Sequence, residues 1–255
     1  MAARRKAKAA SGTGSARDHI QGSCIVLHGP PKIGKTTLCS KFPTPHCWLA
    51  TERGHRYINE DSQAGVHALT AGHEGWSDFL SVVVSDKPKA KTYIVDTVSG
   101  LYSMCLEYVC DKNNWNHPSD GAHGKGWNSL RREFQNGLSH LVDLSSKHNA
   151  TLILIDHTKT DTIETTTGNF EKVTTMMPGQ ARSIVMPVPD HIWFLGYDDD
   201  DPKDALVSET AKRCLFVRGS NEVEAGSRDP NVTINYIKPL SRTNPYLQIN
   251  KKLHG

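Results

Sequence analysis

The sequence predicts an α/β fold: a mostly parallel central sheet with an antiparallel β extension toward its C-terminal end. Three observations lead there. A glycine-containing G-x-x-x-x-G-K-T loop, Gly29 to Thr36, follows directly on an apolar run, Ser23–His28. Two further apolar runs, Thr92–Asp96 and Thr151–Asp156, end in acids and are separated by segments of helical periodicity, the alternation that builds parallel sheets. From His191 onward, runs of strand character succeed one another without helical segments between them.

Taken in order, Ser23–His28 is the first strand, and Thr36 to Lys41 is expected to open a helix behind the loop. Cys47–Thr51 reads as a second buried strand followed by Glu52, and Val66–Leu69 as a short third. Trp76, Phe79, Leu80 and Val83 have helical spacing, and a basic turn, Lys87 to Lys91, leads into the strand Thr92–Asp96. An amphipathic helix over Val98–Cys110, a polar loop over Asp111–Gly126 and a longer helix from Trp127 to Lys147 follow. Leu130, Phe134, Leu138, Leu141 and Leu144 line one face of that second helix. Thr151–Asp156 is apolar throughout, as expected of a central parallel strand covered on both faces. Residues 161 to 176 alternate like a β-hairpin with Gly168-Asn169 as its two-residue turn. His191–Tyr197 and Arg213–Arg218 are further strands, with a weaker one at Val232–Tyr236.

The chain's 255 residues suffice for one sizeable core. With 37% hydrophobic and 22% charged residues the composition is that of a soluble globular protein, and no apolar run reaches the roughly 18 residues a membrane helix needs. The six cysteines show no paired metal-ligand or redox spacing, and the N-terminus has no apolar leader core, so a cytoplasmic protein with reduced thiols is expected. Net charge is only +3, but residues 1–18 carry Arg4, Arg5, Lys6, Lys8 and Arg17 against one acid, Asp18. A disordered basic tail is expected there, either a solubilising extension or an arm that touches nucleic-acid phosphate, with one domain over 19–255.

The loop defines the chemistry. Its free amides face a polyphosphate, its lysine reaches the β- and γ-phosphates, and its hydroxyl is offered to Mg²⁺. Pro30 and Pro31 have no N–H, so the cradle falls to the amides of Lys32 through Thr36. Gly29, Pro30, Pro31, Lys32, Ile33, Gly34, Lys35, Thr36 and Thr37 are therefore the candidate binding residues for ATP or GTP. Asp96, about sixty residues further on, is placed to join Thr36 in holding the metal, the alternative being an N-cap for the helix that begins at Val98. Glu52, at a neighbouring strand end, is either the group that orients the attacking water or a surface acid paired with Arg53 or Arg56. The run Asp198–Asp201 reads as a solvated turn rather than a cation cage.

In order and spacing, the loop, Trp48–Glu52, Tyr93–Thr97 and Leu152–His157 resemble the RecA-like P-loop ATPase core within the AAA-type superfamily. Among its members the likeness is to the short phage-encoded proteins assigned to single-strand annealing and recombination, and it covers about residues 22 to 236. The resemblance implies a RecA-like ATPase domain over 19–255 that hydrolyses ATP with Mg²⁺ and works as a homo-oligomeric ring or filament in the host cytoplasm. It makes Glu52 the catalytic glutamate and His157 the γ-phosphate sensor, where bacterial recombinases usually carry glutamine. It implies single-stranded DNA as partner, bound by loops at 111–126, with Trp115, Trp127, Lys112, His117, His123 and Lys125, and at 158–178, with Lys159, Phe170 and Lys172. Asp161, Glu164 and Glu171 make the second loop the weaker candidate. It further implies a cation from the adjacent subunit, Arg228 or else Arg218. Two other readings stand beside it. An AAA-type remodelling ATPase suits Gly29-Pro30-Pro31 but would append a helical lid where strands are expected, and a nucleotide-gated binding module would hydrolyse poorly.

Overall fold

β1 (Cys24–His28) leads into the phosphate loop, and all five of its residues are buried, as its continuous apolar run requires of a strand covered on both faces. The computed structural model describes residues 20–58, 65–85, 89–166, 168–197 and 212–254. The expected tail at 1–18 and the run Asp198–Asp201 lie outside them. The other parallel strands are β2 (His46–Ala50), β3 (Val66–Ala68), β4 (Thr92–Asp96), β5 (Thr151–Asp156) and β8 (His191–Tyr197). β9 (Arg213–Phe216) and β10 (Gly226–Ser227) pair antiparallel with β8, and β11 (Tyr236–Ile237) pairs antiparallel with β9. The sheet runs β11-β9-β8-β1-β5-β4-β2-β3, with β10 beside β8. The fold is thus α/β, with a mostly parallel centre and antiparallel C-terminal strands, consistent with a P-loop NTPase core.

Side chains alternate across the sheet and build a core on each face. On one face Leu152, Leu154, Val26 and Tyr93 pack against α2 (His73–Val84), α3 (Val98–Lys112), α4 (Lys125–Lys147) and α5 (Gly179–Val185). On the other, Ile153, Ile155, Leu27 and Ile94 pack against α1 (Lys35–Cys39) and α6 (Pro245–His254). The stripe of α4 is buried as its spacing predicts, at Leu130, Phe134, Leu138, Leu141 and Leu144. All six cysteines are buried free thiols, and among the described residues no helix is long and apolar enough to cross a membrane.

Several expectations need correction. The hairpin is β6 (Thr158–Thr165) with β7 (Gly168–Thr175), and Thr165 pairs with Gly168, so Gly168-Asn169 belongs to the second strand and not to the turn. The helix behind the phosphate loop stops at Cys39: Ser40 makes the last bond four residues back, to the Thr36 carbonyl, and Lys41 and Phe42 then tighten to bonds three residues back, on Leu38 and Cys39. Residues 111–126 are not an open loop. α3 extends to Lys112, α4 begins at Lys125, and 3₁₀ turns at Pro118–Asp120 and Ala122–Gly124 fill the gap. His117 caps the first turn, accepting from the Ser119 amide at 3.2 Å, and a Cβ on Gly126 would stand 2.0 Å from the Pro118 carbonyl. α5 and α6 were not expected. α6 covers the second core with Tyr246, Ile249 and Leu253 and is a single helix rather than a helical lid.

Candidate active site

The sheet order decides which residues meet. Four consecutive strands, β1, β5, β4 and β2, deliver one candidate each from their C-terminal ends: Lys35, His157, Asp96 and Glu52. Because β5 lies between β1 and β4, its next residue, His157, falls between the phosphate loop and Asp96.

Gly34 has φ of 103°, the left-handed region closed to residues with a Cβ, and it sets the turn into α1. Ile33 is buried in the second core and anchors the loop. Lys35 is only 6% exposed. Its ammonium donates to the carbonyls of Gly29 at 2.6 Å and Pro30 at 3.0 Å, and to His157 Nδ1 at 3.3 Å. Burial draws its pKa down to about 8, with Asp96, Glu52 and Asp156 opposing that shift.

Asp96 does not cap the following helix; Thr97 does, accepting from the Gly100 amide at 3.2 Å. That leaves the Asp96 carboxylate to accept from the Thr36 hydroxyl at 2.8 Å. Burial pushes Asp96 above the usual carboxylate range, and the Thr36 hydrogen bond opposes it. A Cβ on Gly54 would stand 3.2 Å from Thr36 Oγ1 and 3.6 Å from Asp96 Oδ2. The chain therefore keeps room beside an all-oxygen pair, the donor chemistry Mg²⁺ prefers, and the residues fit that ion.

Glu52 pairs with neither Arg53 nor Arg56 among the described residues. His157 Nε2 donates to it at 3.2 Å and the Thr97 hydroxyl at 3.1 Å. The His157 hydrogen bond holds the Glu52 carboxyl below its ordinary range, with Thr97 and Lys35 adding to the effect against burial. One tautomer serves both contacts of the imidazole: Nε2–H faces Glu52 while the Nδ1 lone pair accepts from Lys35.

Arg228 lies elsewhere. Its amide bonds the Asp190 carbonyl, Asp190 in turn bonds Cys24 at the start of β1, and its guanidinium donates to the Pro187 carbonyl. That is the opposite end of β1 from its own phosphate loop, about 16 Å away at a strand's rise per residue. Arg218 is exposed near the Thr233 carbonyl. The sequence reading passed over Thr97, Thr51 and Gly54. Thr97 was legible as a preferred N-cap type directly before a helix. Thr51, whose hydroxyl accepts from the Thr97 amide at 2.7 Å, and Gly54 act through tertiary contacts that carry no local signal.

A glycine-rich phosphate loop, a Thr–Asp oxygen pair and a Glu–His pair, gathered on one edge of a mostly parallel sheet, define a P-loop NTPase. Comparison with protein families agrees and is more specific: the AAA domain family matches residues 21–228, and the chain belongs to it as an AAA-type P-loop ATPase domain. No curated protein matches the sequence. Among the described residues after β8 are β9, β11 and the single helix α6, so the strands expected there do not count against the AAA assignment.

Proposed function

We propose that the chain hydrolyses Mg-ATP by in-line attack of water on the γ-phosphate. The observation that carries this reading is the convergence of Lys35, the Thr36–Asp96 pair and the Glu52–His157 pair from four adjacent strand ends. Lys35 supplies a cation to the β- and γ-phosphates, and the amides of Lys32 through Thr36 supply fixed donors. Thr36 and Asp96 would hold Mg²⁺, which when bound neutralises phosphate charge. Glu52, kept ionised by His157, accepts a hydrogen bond from the attacking water and orients it. His157 touches both Lys35 and Glu52 and so registers what occupies the space between them.

Exchanging Glu52 for glutamine tests this directly. Glu52→Gln is expected to lower kcat by about 10²- to 10⁴-fold while Mg-ATP affinity stays within a few-fold of the parent, and Lys35→Ala to abolish binding. Turnover unchanged in Glu52→Gln would reject the hydrolytic assignment and favour a nucleotide-gated binding module.

The finer reading, a RecA-like, phage-type annealing or recombination protein that binds single-stranded DNA as a ring or filament, has one structural observation in its favour. Trp127 is 38% exposed, with the His117 ring edge-on to it at 5.4 Å and Lys125 two residues away, a stackable surface near a cation. Arg228 stands too far from its own loop to serve it, so any part it plays in hydrolysis would be on a neighbouring subunit's nucleotide. The hairpin offers less, since Lys159 is already paired with Asp161 at 3.0 Å.

A further inference from the structure

Beside the phosphate loop, on the side away from Asp96 and Glu52, lies a cavity of about 470 Å³ lined among others by Lys32, Gly34, Thr37, Tyr197, Arg213 and Arg242. We propose that this cavity takes the nucleoside half of the nucleotide and that Arg213, from the same chain, is a binding cation for the inner phosphates in addition to Lys35. The proposal rests on the ATPase reading and gives that site its direction. The γ-phosphate lies toward Asp96 and Glu52, the inner phosphates along the loop, and the ribose and base toward β9.

The topology builds the cavity. β8 is the parallel neighbour of β1, so Tyr197 at its C-terminal end stands on the same edge as the phosphate loop. β9 runs back antiparallel, and its first residue, Arg213, pairs directly with Tyr197. The Arg213 guanidinium lies against the loop itself, since a Cβ on Gly34 would be 2.5 Å from its Nη1. Gly34 is required by its backbone angle, and the guanidinium occupies the space where a side chain would begin.

Charge identifies the occupant's chemistry. Two guanidiniums and the Lys32 ammonium face one cavity, and among the described residues its lining includes no acid. Among the described residues neither arginine is paired with a carboxylate. Like charges gathered in this way call for an anion, and the planar guanidinium fork matches phosphate oxygens in pairs. A free phosphate would leave most of 470 Å³ unfilled, whereas that volume lies within the range of small-molecule sites, and the Tyr197 ring gives a base a face to lie on.

The test measures Mg-ATP, Mg-ADP and magnesium tripolyphosphate binding by calorimetry, together with steady-state turnover, in the full chain and in Arg213→Gln, Arg213→Lys, Tyr197→Ala and Lys35→Ala. Arg213→Gln is expected to weaken Mg-ATP and Mg-ADP by the same factor, about tenfold or more, and Arg213→Lys to recover part of the loss. Tyr197→Ala is expected to weaken Mg-ATP and leave tripolyphosphate unchanged. Thermal melts by circular dichroism identify a variant that has failed to fold, and Arg213→Lys keeps the charge should Arg213→Gln do so. Parental affinities in both Arg213 variants, with binding lost in Lys35→Ala, overturn this proposal and leave the ATPase reading standing. A parent chain that binds no Mg-ATP overturns both.

Discussion

His28, the residue before the phosphate loop, is wholly buried, its Nε2–H donating to the Glu224 carbonyl at 2.6 Å and its ring tilted on Phe194. Burial lowers its pKa from 6.5 to about 4, against the Glu224 hydrogen bond. Above pH 6.5 the imidazole is neutral in both folded and unfolded chains. Between 6.5 and about 4 only the unfolded chain takes the proton, so stability falls as pH falls, by at most about 3 kcal/mol. Urea unfolding at pH 7 and pH 4.5 should therefore show a smaller acid loss in His28→Gln than in the parent, whatever the variant's stability at pH 7. Equal losses would contradict the assignment. Single residues were legible where chemistry is local. Lys35, Thr36 and Asp96 could be read from a motif and a strand end, whereas the bond from His157 to Glu52 joins residues 105 apart and depends on strand order.

Among the elements, those with strong periodicity matched best. β4, β5 and β8 have the bounds their apolar runs predict, and α4 buries the predicted stripe. The stripe also contains Gly137, whose absent side chain is filled by Trp76: a Cβ there would stand 2.5 Å from Trp76 Cη2 and 3.1 Å from Phe79 Cε1. Gly137→Ala should thus destabilise by about 1–3 kcal/mol through overpacking, outweighing the gain of up to about 1 kcal/mol in helix propensity. A urea midpoint at or above the parent's would refute this. The hairpin turn was placed two residues late because a glycine beside an asparagine suits a two-residue turn by composition, while pairing of Thr158 with Thr175 fixes the register from the other end. α5 is only seven residues long and is held by the core it covers rather than by its own pattern, whereas α6 was legible in the helical spacing of Tyr246, Ile249 and Leu253 behind Pro245.

For the whole molecule, the α/β class and the antiparallel C-terminal strands could be read in advance because buried parallel strands and amphipathic helices leave different sequence patterns. Which strands are neighbours could not, and that order assembles the site. The DNA reading is tested at this scale. Anisotropy of a labelled single-stranded oligonucleotide should show affinity falling as salt rises from 50 to 200 mM and, at fixed salt, a loss of about 1–3 kcal/mol in Trp127→Ala. No binding at low salt, with or without a non-hydrolysable ATP analogue, would remove DNA as partner without touching hydrolysis. One consequence concerns the junction at His157, the single residue between β5 and β6. The ribbon that grows from it is eight residues long in each strand, or about 27 Å at the usual rise. A rocking of about 5° at that root would sweep the far tip through about 2 Å, so any small displacement of the imidazole held between Lys35 and Glu52 would be enlarged at the far end of the ribbon.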